Sequence, residues 1–370
     1  MSSLAMTVGS TRVRYDAVVR GLLVAITLAA CQSARAPAPP PPEETRLLAA
    51  RDLGDVDTMR AHCWQVWHDI QDKWQAWPSS DVVLGMPDRI FRALQPFRIG
   101  ERMEVETLPL MFAVIYNPEA AAHVAKNRLE LRSTLRKRRP AIPAFSRGAI
   151  VMKAVWYPVH ARGVTELPLW DGESILPEGN PGRTWSRHVA IEPGGEDRVV
   201  DGVHHVPLDA FLHRTLNTQA EVAAARTVAH DPSLAIGDHV VIVGMHVSTK
   251  EIPDWVWATF WWHDRPDAGP YAAGRPASLT GAAASYLMDV AYSEQTPREP
   301  DGSPHVAMNP FLEARFPDGL HSNCVACHQR AAYGTMDYLP ITRGTTAPGD
   351  PYFADKVTTD FVWSLALEAR

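Results

Sequence analysis

HVVIVGMHVST at 239–249 and WVWATFWWH at 255–263 are two runs of β-branched and aromatic residues separated by KEIPD at 250–254. The intervening segment contains Pro253 and suits a turn, so the pair reads as an antiparallel hairpin. Side chains alternate along a strand. That puts Trp255, Trp257, Thr259, Trp261 and His263 on one face and Val256, Ala258, Phe260 and Trp262 on the other. By the same rule Val240, Ile242, Gly244, His246 and Ser248 share a face of the partner strand. Both faces are largely apolar. AIVMKAVWY at 149–157 has the same character and reads as a third strand.

Upstream the period lengthens. Met59, Cys63, Val66, Trp67, Ile70 and Trp74 recur at steps of three and four, which predicts a helix from Asp57 to Trp77 closed by Pro78. A second helix is expected from Asn117, as cap, and Pro118, at the first helical position, to the basic cluster Arg136, Lys137, Arg138 and Arg139. That cluster reads as a solvated helix end or as a docking point for an acidic partner. The expected class is α+β: an antiparallel β-rich core over 148–290, N-terminal helices over 46–147 and a C-terminal region over 291–370, with 46–370 as one compact unit.

With 370 residues, 46% hydrophobic and 21% charged, the chain has the composition of a water-soluble globular protein, which excludes disorder, collagen and an integral membrane bundle. A net charge of −6 argues against nucleic acid as the main partner, because phosphate binding needs a basic surface. Arg12, Arg14 and Arg20 precede the apolar run GLLVAITLAA at 21–30, the order of a secretory signal over 1–30. Leu28, Ala29, Ala30 and Cys31 resemble a bacterial lipobox. That resemblance implies lipidation of Cys31 and, with Gln32 following, an outer-membrane lipoprotein facing the periplasm, held to the membrane only through its lipid anchor. The segment 31–45 is proline-rich and is expected to be an extended spacer.

Cys324, Val325, Ala326, Cys327 and His328 form C-x-x-C-H. In this pattern two thiols add to the vinyl groups of a haem and the next imidazole takes the proximal iron position. Four cysteines in the chain produce it by chance at roughly one in a thousand. Secretion agrees, since haem is attached covalently outside the cytoplasm. A thioredoxin-like site would place its pair just after an early strand, and structural zinc would need a second thiol or histidine pair at regular spacing; neither is present. Cys63, on an apolar helical face, reads as a small core residue.

The pentapeptide resembles c-type cytochromes. More broadly, GAIVMKAVW at 148–156, GMHVSTKEIPDWVWATFWWHD at 244–264 and SNCVACHQRA at 322–331 resemble a group of bacterial cytochrome c family proteins with a late haem motif and no established activity. The resemblance implies one covalent haem c on Cys324 and Cys327 with His328 as proximal ligand. The segment after His328 is too short for the helices of a small all-α cytochrome c, so the C-terminal region is expected to be a haem-attachment segment on the β-rich core. His246 and His263 are the leading candidates for a distal ligand, with Met336, Met308 and Met288 as thioether alternatives and an open iron position as the third possibility. Lys153 lies inside an apolar strand, where its ammonium needs a carboxylate, a haem propionate or, at a sheet edge, water. Trp257 is a candidate wall of the haem pocket. The function expected first is a periplasmic electron carrier working with a redox protein partner, since the sequence supplies plausible ligands but no complete distal acid and base set; the alternative is a haem-dependent oxidoreductase, peroxidase-like or gas-binding, with an open iron.

Overall fold

A computed structural model describes residues 42–93, 108–170, 187–293, 298, 301–313, 323–334 and 349–370. The signal segment 1–30, Cys31 and Met336 lie outside the described residues. The hairpin is present: β9 (His239–Thr249) and β10 (Val256–Trp262) pair antiparallel, with Thr249 opposite Val256. They sit inside a sheet of order β1 (Arg92–Ala93), β2 (Met111–Tyr116), β3 (Ile150–Val159), β9, β10 and β11 (Tyr286–Ala291), while β8 (His213–Thr215) continues along β9. A smaller sheet joins β4 (Thr165–Leu169), β5 (Arg187–Ile191), β7 (Val203–Val206) and β6 (Arg198–Val200), with β5 and β7 parallel. The fold is α+β, mostly antiparallel, and residues 43–370 form one compact unit.

Register refines the alternation read from the sequence. Val155 pairs with Gly244 but Trp156 pairs with Ile242, so Val243 is an extra residue in β9, a β-bulge. Alternation restarts across it. Gly244, His246 and Ser248 share one face, as expected, and it is the face of Trp257, whereas Val240 and Ile242 move to the opposite one, facing with Pro158 and Trp156. Val114, Lys153, His246, Thr259 and Asp289 lie directly opposite one another across five strands and form one row on a single face. The neighbouring row is Tyr116, Val151, Ser248, Trp257 and Ala291.

The other face is covered by helix α2 (Val56–Ile70), whose Trp67 stacks on Phe260 at 4.2 Å and whose Trp64 meets the same ring edge-on at 5.5 Å. Met59, Cys63, Trp67 and Ile70 are buried, as the spacing predicts, and Cys63 is a core thiol that burial pushes up. The helix ends at Ile70 rather than Trp77. The chain turns there and forms a short 3-10 turn over Trp74–Ala76, which brings Trp74 to 5.8 Å from Trp156. Helix α1 (Pro42–Leu53) takes the last residues expected in the extended spacer, since Pro42 suits a first turn and Glu43 and Glu44 complement its dipole. The second predicted helix is also shorter. Asn117 caps α4 (Pro118–Asn127) through the Ala120 amide, but Arg128 turns left-handed, and a separate α5 (Arg132–Leu135) precedes the basic cluster; the turn lets Leu129 and Leu135 both reach the core. Among the described residues no helix is long and apolar enough to cross a membrane.

Gly244 is where the bulge meets the C-terminal region. A Cβ there would lie 2.6 Å from Asn309 Oδ1. Asn309 has no room to yield, because its fully buried amide donates to Thr259 Oγ1 at 3.0 Å and to the Phe260 carbonyl at 2.7 Å. Gly244→Ala is therefore expected to cost about 1–3 kcal/mol by overpacking, seen as a lower urea midpoint at unchanged slope. An unchanged midpoint would show that the contact is slack.

Candidate functional site

The C-x-x-C-H segment forms the short helix α7 (Cys324–His328) on the polar-row face of the sheet. Asn323 caps it, its Oδ1 accepting the Ala326 amide at 3.0 Å. One helical turn brings residues three apart to the same side, so both thiols face one way. Cys324 and Val325 belong to an apolar cluster with Trp255, Trp257, Tyr116 and Leu365. Burial pushes Cys324 well above the usual thiol range and Cys327 up to about 11. Both are therefore neutral thiols, the reverse of the lowered thiolate that disulfide-exchange chemistry needs. Among the described residues no cluster of three or more His, Cys, Asp or Glu side chains is arranged to hold a metal ion.

His328 is oriented from two sides. Its ring lies 4.2 Å from the Trp257 ring, and its Nδ1–H donates to the Phe361 carbonyl at 2.8 Å. That bond fixes the tautomer and leaves the Nε2 lone pair as the ring's ligating atom. Burial holds the imidazole down to about 3, and the neighbouring His246 and Lys153 side chains act in the same direction. A neutral imidazole with Nε2 available is the donor that haem iron takes, and two thiols in the adjoining turn are the attachment chemistry, so the residues fit a haem.

The acceptor comes from an unusual piece of backbone. Asp360 and Phe361 are consecutive non-glycine residues in the left-handed region, at φ 46° and 70°. Each such residue costs roughly 1–2 kcal/mol, and the surroundings hold them. Asp360 accepts the Phe145 amide at 2.7 Å and the Lys250 ammonium at 2.7 Å. Thr359 donates its amide and its hydroxyl to the Ala331 carbonyl.

The polar row faces the C-terminal region at regular steps. Asp289 accepts from His305 Nε2 at 2.8 Å, Thr259 accepts from Asn309, and His246 Nε2 meets the Glu313 carboxylate at 3.2 Å. Glu313 also accepts the Asn309 amide at 2.6 Å. Lys153 is not at an edge: β3 is paired on both sides, by β2 and β9, which removes the edge-strand alternative. Its ammonium lies 4.7 Å from the Phe112 ring centroid, and burial pushes its pKa down against the pull of Glu313.

Lys153, His246, Trp257 and the C-x-x-C-H turn are thus brought to one face. His263 is not among them. It follows β10 six residues beyond Trp257, about 20 Å along an extended strand; its Nε2–H donates to the Trp170 carbonyl and its Nδ1 accepts the Arg265 amide, the pattern of a hydrogen-bonded core histidine. Met288 lies on the opposite face, beside α2, where the Met288 carbonyl accepts from Arg60. Met308 is buried next to Asn309 in the segment that crosses the polar row. Asp289, His305, Asn309, Glu313, Lys250, Asp360 and Phe361 escaped the sequence reading. The four-residue steps of His305, Asn309 and Glu313 in HVAMNPFLE were the available signal. Arg136 and Arg139 of the basic cluster, together with Arg132, line a separate cavity of about 580 Å³ that Tyr333 and Asp355 also border.

In the haem-free chain the C2 proton of His328 is expected to show no titration between about pH 5 and 8, because its pKa is held near the value above rather than at the usual 6.5. An NMR titration with a midpoint near 6.5 would show the ring to be solvated. No protein-family model, no curated protein and no solved structure matches this chain, so its function is argued from this site alone.

Proposed function

We propose that the chain carries one covalent haem c on Cys324 and Cys327, with His328 as proximal iron ligand, and works in redox chemistry in the periplasm. The observation that carries this reading is the His328 Nδ1–H bond to the Phe361 carbonyl beside two neutral, buried thiols. Bound there, the haem supplies one-electron exchange and, where the iron keeps an open position, activation of a small oxidant such as peroxide.

Of the two ways to use such a haem, the geometry favours the open-iron oxidoreductase. The Nε2 of His246 is already engaged by Glu313, and the ring of His263 has both nitrogens satisfied elsewhere. What the row offers instead is proton handling. His246 is oriented by the Glu313 carboxylate at Nε2, as a general base is by its carboxylate, which leaves Nδ1 as the atom that accepts a proton. Lys153, one position along the row, supplies positive charge for a developing anion. Trp257 and the apolar cluster around it exclude water from the proximal side. The electron-carrier reading, with a redox protein as partner, draws its support from the closeness of His246 to His328; it requires His246 to exchange Glu313 for iron.

Protein made with a haem-maturation system is expected to keep one haem through acid acetone extraction and to lose it when Cys324 and Cys327 are changed to Ala; zinc in place of iron would end the reading. The ferrous protein is expected to bind carbon monoxide rapidly, and His246→Ala to lower peroxide turnover by about 10²–10⁴-fold with an unchanged high-spin spectrum. A low-spin spectrum indifferent to carbon monoxide, opened by His246→Ala, would establish the carrier. For location, we infer acylation at Cys31: the protein is expected in the membrane fraction and Cys31→Ala in the soluble periplasm, and equal partition of the two would refute the anchor.

A further inference from the structure

We propose that the buried ion pair Lys250–Asp360 is the positioning device for the proximal histidine: it holds the left-handed Asp360–Phe361 backbone so that the Phe361 carbonyl meets His328 Nδ1. The inference rests on the haem reading above and names residues that reading does not use.

Three observations carry it. The first is the backbone itself. Left-handed conformation at two successive side-chain-bearing residues is disfavoured, and a segment that adopts it needs outside restraint. The second is the restraint. Asp360 is clamped through both carboxylate oxygens, Oδ1 to Lys250 Nζ and Oδ2 to the Phe145 amide, each at 2.7 Å. The third is the anchorage of the lysine. Lys250 opens the turn of the central hairpin; its amide donates to the Ala149 carbonyl at 3.0 Å, and its ammonium donates to the Pro253 carbonyl at 2.5 Å and lies 5.2 Å from the Trp255 ring. Its side chain is only 6% exposed and that of Asp360 12%. A buried ion pair of this kind contributes little net stability against an apolar substitute, so its value here lies in geometry. Through it the turn of the central hairpin is tied to the carbonyl that His328 Nδ1–H meets.

The chemical consequence concerns the ligand. A proximal imidazole that donates Nδ1–H to a fixed acceptor is a more basic ligand, with a stiffer bond to iron, than one whose acceptor is loose. A ligand of that kind favours the ferric state. Among the described residues no hydrogen bond or ion pair joins Lys250 or Asp360 to Cys324, Cys327 or the polar row, so they are positioning residues.

The experiment compares full-length protein carrying haem with its Lys250→Met, Asp360→Asn and Lys250→Arg variants. Haem content is read as the pyridine haemochrome, the ferrous iron–histidine stretch by resonance Raman, and the midpoint potential by titration. The expected result is unchanged covalent haem, with a lower stretching frequency and a raised potential in Lys250→Met and Asp360→Asn, and values close to the parent in Lys250→Arg, which keeps the charge. Asp360→Asn preserves the side chain's size and an oxygen for the Phe145 amide, so it carries the test if Lys250→Met fails to accumulate. Full haem with unchanged frequency and potential in Asp360→Asn overturns this inference alone. Absence of covalent haem from the parent overturns the haem reading and this inference with it.

Discussion

In an antiparallel sheet, residues opposite one another must project to the same side, and this constraint organises everything else in the molecule. Five strands contribute one residue each to the row Val114, Lys153, His246, Thr259 and Asp289, although they come from positions up to 175 residues apart in sequence number. The pleat leaves no choice about the neighbours. Once Trp257 and Thr259 face one way, Phe260 and Trp262 must face the other, and the hydrophobic bulk of α2 has to cover them. The polar face is then available to the C-terminal region, whose His305, Asn309 and Glu313 each satisfy one member of the row. Buried polar side chains are tolerable only when they are hydrogen-bonded, and these partners supply that for His246, Thr259 and Asp289, while the Lys153 ammonium lies against the Phe112 ring.

The bulge at Val243 shows how local backbone detail decides which side chains belong to a site. Without the extra residue, Ile242 and Val240 would extend the site face with bulky aliphatic groups. With it they join the opposite face, and Gly244 is left as the member of β9 that admits the Asn309 amide. One residue of slip reverses every side chain beyond it, so the bulge separates an apolar half of β9 from a half that carries Gly244, His246 and Ser248.

The surroundings of His328 are built on different physics. There the backbone is strained and the strain is localised at Asp360 and Phe361. Such backbone persists only where surrounding contacts determine it, and here they include a buried ion pair, two amide bonds and the aromatic faces of Trp255 and Trp257. Burial also keeps the two thiols and the imidazole neutral. Neutrality suits the proposed haem attachment, in which His328 would have to present a lone pair.

Much of this was legible in the sequence. Periodicity alone determined the hairpin at 239–263, its two faces beyond the bulge, the strand at 149–157 and the apolar side of α2, because burial on a regular element leaves a regular pattern. The C-x-x-C-H spacing marked the Cys324–His328 turn as a candidate site without help from the fold. The lengths of the helices were not legible: Trp74 and Leu135 are turned into the core by partners distant in sequence, and propensity does not see such contacts. Nor was it legible that Met288 and His263 stand away from the site while Glu313 and Phe361 belong to it. Groups from residues 145, 250, 313 and 361 meet around the row and the Cys324–His328 turn only because strand register and a left-handed bend bring them there. Sequence fixes what each element buries; which elements then meet depends on long-range pairing, which leaves no local mark.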